Sequence, residues 1–428
     1  MVSTEASPAP DITFAHMLAG VAGMIAAALL LVWQPDALLT RWHPATLAAV
    51  HLFALGGLMP VMLGALFQFV PVACGLSLPR WGRLDGWILV VLMLGSLTLA
   101  GSFLQGSTLG FGLAGVLLLG SLLSVGARLA WALGRQAGPG ELARTLLRSV
   151  LALAGTVSLA SLLLGILIRG WQLPLLAIVD WHALWGIAGW MGGLIASVAS
   201  MVVPMFHVTD AYPRRWFWLS RLVLMALLLG TFASWLAWGW LVSVAVCVLA
   251  VAAVSFGILT VRRVHASKRG EHDAFHWGWL GVTVLAVAMG GIGALAHFSP
   301  DARWGVAFGI LALAGLGGGT VSVMVYRIVP FLIWLHWQRV NKARIRLPML
   351  HQIVPERWQG VQLSVEGLSV LLLCAGAFFP ALVLPAACGM ALGKLGQWIL
   401  LARAMRDYAQ RLPVLKALPP RVAASVRL

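Results

Sequence analysis

Acidic side chains are scarce in this chain. Asp and Glu together number 13 in 428 residues, and charged residues of both signs make up 10%. A soluble globular domain carries about 25% charge, so that class is excluded. Cysteine is scarce too. Cys74, Cys247, Cys374 and Cys388 are scattered without a close pair. This excludes a disulfide framework and a paired-cysteine zinc motif, and with no CxxCH it excludes covalently attached haem. Three of the four lie in apolar spans, where a thiol acts as a small buried hydrophobe. The opening MVSTEASPAPDITF has neither a basic n-region nor an A-x-A site, so no cleavable signal peptide is expected.

What is abundant is apolar sequence, 61% of the chain. Runs of about twenty such residues are long enough to cross a bilayer as helices. Twelve are expected, at 14–34, 46–72, 86–104, 107–133, 146–168, 180–206, 216–236, 238–261, 275–297, 303–335, 362–382 and 385–405. The fold class read from them is all-α: a polytopic membrane protein of about twelve transmembrane helices.

One stretch dominates, Val179–Pro213. It opens on Asp180 and His182, carries Gly186, Gly189, Gly192 and Gly193, and closes on Pro204, His207 and Asp210. Small residues at three- and four-residue spacing let a helix or a flat cofactor approach the backbone. Two weaker copies occur, His51–Cys74 and Trp304–Pro330. Each copy ends on an aliphatic pair and a proline, Pro71, Pro204 or Pro330, with a glycine fifteen residues earlier, Gly56, Gly189 or Gly315. The prolines lie 133 and then 126 residues apart. Such a period implies three pseudo-symmetric four-helix units, roughly 14–135, 145–262 and 273–406. A basic loop at 340–360 and a tail at 407–428 complete the chain.

The net charge of +16 sits mostly in short loops beside apolar spans. Topology accounts for it better than nucleic-acid binding. Arg and Lys concentrate after the even-numbered spans, which places both termini in the cytoplasm. Span order then sorts the histidines. His43, His51, His182 and His297 fall toward the outer face, and His16, His207, His276 and His336 toward the inner face. His265, His272 and His351 fall in basic loops and read as solvated. Neutral imidazole is a common ligand of metals and haem iron. The outer layer therefore reads as a haem or copper site built from His51, His182 and His297. In the inner layer His207, His276 and His336 are candidates for a second metal site. The competing reading for every one of them is a helix-end imidazole bonded to backbone or headgroup.

Lys394 falls near the middle of the last span, with Gln397 one turn on and Glu366 in the span before. A lysine there is a functional candidate by default. A proton relay, a contact to a cofactor carboxylate and an ion pair with Glu366 are all open.

Twelve spans in three units, with histidines at the outer ends of spans two and six, resemble subunit I of the haem-copper oxidases. HLFALGGLMPVMLGA at His51–Ala65 is similar to that family's second span, where a haem-ligating histidine precedes a Met-Pro and small residues. Asp180–His182 stands where the family places its first copper-ligating histidine. The chain also resembles NnrS-type proteins, haem- and copper-containing relatives with twelve spans, and short oxidase-like bacterial proteins with segments such as VVPMF and YRIVPFLIWLHW. The resemblance implies haem b, with copper as a second metal, an inner-membrane location in a bacterium, and a quinol or cytochrome as electron donor. The departures are specific. Arg215–Leu236 and Ala302–Pro330 contain no histidine, and the NnrS signature WHAHEM is missing although WHP stands at Trp42–Pro44. A standard binuclear oxidase centre would lack most of its ligands. Two functional classes remain: a haem- or copper-binding redox, nitric-oxide-related or sensing protein, and a proton-coupled transporter of a small solute or metal that uses Lys394.

Overall fold

The computed structural model describes residues 10–76, 78, 83–136, 140–269, 272–343 and 345–419. Among them, twelve helices are long and apolar enough to span a membrane. Spans one to four are Asp11–Trp33, Pro44–Cys74, Leu84–Gln105 and Thr108–Arg135. Spans five to eight are Glu141–Arg169, Leu175–His207, Trp216–Trp235 and Gly239–His265. Spans nine to twelve are Ala274–Phe298, Arg303–Val340, Glu356–Gly376 and Pro380–Ala417. The shortest has 20 residues. At 1.5 Å per residue that covers about 30 Å, the hydrocarbon thickness. The chain is an all-α polytopic membrane protein.

Several boundaries differ from the expected ones by five residues or more, and two of them have a clear local cause or consequence. Span eleven begins at Glu356, six residues before the expected 362, because Pro355 is extended (φ −61°, ψ 129°) and ends the preceding segment there. The helix of span twelve continues to Ala417, well past the expected 405. Its added turns carry the Asp407–Arg411 pair and seat buried Tyr408 and Leu415. The expected tail is therefore helical as far as Ala417, and its last residues, 420–428, lie outside the described residues.

Spans adjacent in sequence pack together, and span twelve closes back on span one. Spans two, six and ten form the interior: 61%, 50% and 67% of their apolar windows are buried, against at most 44% elsewhere. The other spans expose large apolar residues such as Leu109, Val116 and Trp240, as lipid-facing helices do.

The repeat extends to backbone conformation. Each interior span contains a π-helical segment: Leu52–Leu58, Trp185–Gly192 and Leu311–Gly318. Each segment holds its repeat glycine, Gly56, Gly189 or Gly315, and each begins nineteen residues before its proline. The widened turn is costly alone and is commonly found at functional sites. Glycine makes it accessible, and in span two proline adds a second cause. Pro60 has no N–H for the carbonyl four residues back, that of Gly56. That carbonyl lies so close to Gly23 of span one that any Cβ on Gly23 would collide with backbone. Spans six and ten reach the same conformation without such a proline. The three interior spans meet at Gly317, where a side chain would meet Met191 of span six at 2.7 Å and Leu58 of span two at 2.8 Å.

Candidate functional site

His51 lies at the last α-helical residue before the π segment of span two. His182 lies just before the π segment of span six. The two rings meet: their centres are 6.3 Å apart and their planes differ by 15°. His51 Nδ1 bonds the Leu47 carbonyl at 2.7 Å, within its own span. His182 Nδ1 bonds the Thr156 carbonyl of span five at 3.1 Å. A carbonyl only accepts, so in each neutral ring Nδ1 carries the proton and Nε2 keeps its lone pair. Metal-binding histidines are commonly oriented in this way, the ring N–H away from the metal donating to a backbone carbonyl.

The local packing explains why both rings are fixed. The Phe103 ring lies 5.1 Å from that of His51 and is itself braced edge-on by Phe111. Trp181 and Trp185, on either side of His182, are both buried. Trp181 packs on Gly230 and Trp185 on Gly155, where a side chain would displace either ring. Trp185 Nε1 also donates to Thr231 at 2.9 Å. Asp180 bonds Arg41 at 2.6 Å, which ties the loop before span two to the start of span six. Both groups are about half exposed, so the pair is worth roughly 0–1 kcal/mol.

Both rings line a largely apolar cavity of about 1160 Å³. Its wall includes the glycine-rich face of span six and residues from all three interior spans. Of the other histidines read toward this end, His297 lines the same cavity but bonds Ser243 at 2.9 Å and is exposed. Among the described residues no ring contact joins it to His51 or His182. His43 is a helix cap: its Nδ1 accepts from the Ala45 N–H at 3.2 Å.

At the opposite end His207 and His276 come together, with ring centres 5.6 Å apart. His336 does not join them. It pairs with Tyr408 of span twelve, and that contact replaces the expected third ligand. Span order gives depth along the bundle but not the angle around a helix, which separates His336 from its expected partners. His272, read as solvated, is exposed, and its ring centre also lies 4.0 Å from that of His276.

Lys394 has no part in the cavity wall. It is fully buried and bonds Glu366 at 2.6 Å and Ser322 at 2.7 Å. Ser322 donates to the second Glu366 oxygen at 2.7 Å, as does Gln362. Tyr326 donates to Gln362 at 3.1 Å, and Gln397 donates to the Ser322 carbonyl at 3.4 Å. Of the readings open in the sequence, the structure shows the Glu366 ion pair. Ser322 and Gln362, which complete the pair's hydrogen bonds, were missed. For Gln362 the signal was its four-residue spacing from Glu366 along one helix face; Ser322, on span ten, had none.

Asp273, just before span nine, pairs with Arg327 and, at 3.5 Å, with Arg269. Burial pushes its carboxyl up, but Arg327, the His276 N–H and Arg269 together hold it below the ordinary carboxylate range. Stability from this group is complete above the ordinary value of about 4 and is lost as pH falls through the lower folded value. Asp273→Asn should therefore flatten the acid limb of a thermal-unfolding profile. An unchanged acid limb would show that Asp273 carries none of it.

Among the described residues no group of three or more His, Cys, Asp or Glu side chains is arranged to hold a metal ion. No protein-family model matches the chain, and no curated protein matches it.

Proposed function

We propose that this chain is a haem-binding integral membrane protein in which His51 and His182 are the two axial ligands. The ring pair itself carries the reading. With metal–nitrogen bonds of about 2 Å, two imidazoles that would hold one ion from opposite sides have ring centres roughly 6 Å apart. The observed separation is 6.3 Å, and both rings have an Nε2 lone pair free of the bonds that pin Nδ1. The cavity of about 1160 Å³ supplies dry walls around them. The resemblance to haem-copper oxidase subunit I and NnrS-type proteins supports the same two residues. It assigns them to separate centres, whereas their proximity favours one shared centre. A haem bound through both imidazoles supplies one-electron transfer, with axial ligands and dry surroundings setting its potential.

Loop charge supports an inner-membrane orientation with cytoplasmic termini and the histidine pair toward the outer face. The donor consistent with that depth is a quinol or a cytochrome. The competing transporter reading depends on Lys394, which bonds Glu366 and Ser322 and does not line the cavity. Copper alone is the alternative occupant of the same pair. The test is an optical spectrum of the detergent-purified chain, as isolated and after addition of haem. Narrow low-spin bands from a stoichiometric haem are expected. A chain that binds no haem under either condition, or takes up copper instead, would overturn the assignment.

A further inference from the structure

Away from the cavity and the Lys394 network, the end of span six that carries His207 has buried polar atoms without partners. His207 is 1% exposed and His276 is 6% exposed. His207 Nδ1 donates to the Val203 carbonyl at 3.0 Å, so its lone pair is on Nε2, which is buried and has no partner. His276 Nδ1 is also buried without a partner. Leaving a buried polar atom unsatisfied is destabilising, and these two belong to rings in contact with each other.

The two residues are held from outside the rings. The His207 carbonyl accepts from Ser267 Oγ at 3.0 Å and from the Lys268 N–H at 3.3 Å. Phe275 lies 5.3 Å from the His207 ring, nearly parallel to it. The His276 N–H donates to Asp273 at 3.0 Å. The rings, 5.6 Å apart between centres and inclined by 56°, are close to the roughly 5 Å expected for two imidazoles on one tetrahedral ion with bonds near 2 Å. His272 is exposed, at the edge of a surface pocket that also includes Glu356, and its ring is 4.0 Å from that of His276.

We infer that His207 and His276, completed by rotation of His272, form a site for one transition-metal cation of the zinc and copper class. The donor set selects the class. Asp273, the nearest carboxylate, is held by Arg327 and Arg269, so the open donors are imidazole nitrogens. Magnesium and calcium take oxygen ligands, whereas imidazole suits zinc and copper. Exposed His272 provides the route in from the surface. This site is independent of the haem assignment, being at the other end of span six.

The experiment is a Zn²⁺ titration of the chelator-stripped full chain by calorimetry, with Co²⁺ absorption as a reporter of tetrahedral nitrogen ligation. One Zn²⁺ equivalent should be bound, and it should be kept by the His51→Ala/His182→Ala variant. His207→Gln and His276→Gln should each lose it, and His272→Gln should weaken it at least tenfold. A stripped wild-type chain that binds no Zn²⁺ would overturn the site without recourse to variants. So would a monodisperse His207→Gln/His276→Gln chain that keeps the full equivalent. Unchanged affinity in His272→Gln, a surface substitution that leaves the core intact, would remove the third ligand.

Discussion

Lys394→Met is expected to lower the unfolding free energy by about 3–5 kcal/mol, the cost of leaving one member of a buried ion pair without its partner. Lys394 is 0% exposed and Glu366 3%. Removing the ammonium strands the Glu366 carboxylate among spans ten, eleven and twelve, with only the Ser322 and Gln362 donors left to it. Glu366→Leu should cost as much for the mirror reason. The double variant Lys394→Met/Glu366→Leu should recover most of the loss, because a hydrophobic pair of similar volume is often neutral or better than a buried ion pair. Thermal unfolding in detergent of the four proteins forms a double-mutant cycle. Additive losses would mean the pair is not coupled and the network reading is wrong. Haem binding should be unaffected in the double variant, since neither residue lines the cavity. Its loss there would instead tie Lys394 to the cofactor.

That separation between the polar network and the cavity could not be read from sequence. Hydropathy located all twelve spans because lipid imposes length and apolar content on each helix independently. The Gly56, Gly189 and Gly315 repeat was legible because it recurs at a fixed distance from proline. Its meaning was not: a π turn depends on how a neighbouring helix packs, as Gly23 does against Gly56, and neither residue alone specifies it. Depth was legible for the histidines, and His51 and His182 do share a level. Angle was not. His297 shares the cavity yet turns to Ser243, and His336 turns to Tyr408. Exposed His272 reaches His276 because only four residues separate them, across the start of span nine. The Lys394 partner was legible in type, since a buried lysine demands an acid. The choice of Glu366 followed from the packing of spans eleven and twelve.

His51→Ala should remove bound haem almost completely, while His182→Ala should leave a weakened, high-spin form. The asymmetry follows from how each ring is held. His51 bonds a carbonyl of its own helix at 2.7 Å and packs on Phe103, so its position survives loss of the opposite ligand. His182 depends on span five for its 3.1 Å bond to Thr156, a longer contact between two helices. With His51 alone, iron would be five-coordinate, and affinity should fall at least tenfold, equivalent to about 1.4 kcal/mol. With His182 alone, the remaining ligand is the less firmly placed one, so retention should be poorer still. Both variants should fold, because neither ring is fully buried and each substitution leaves the π segment intact. Haem content per chain and the optical spectrum of each purified variant measure the outcome. Equal retention in both would contradict the asymmetry while keeping the pair. A full haem complement with an unchanged low-spin spectrum in either variant would remove that histidine from the centre and break the shared-ligand proposal.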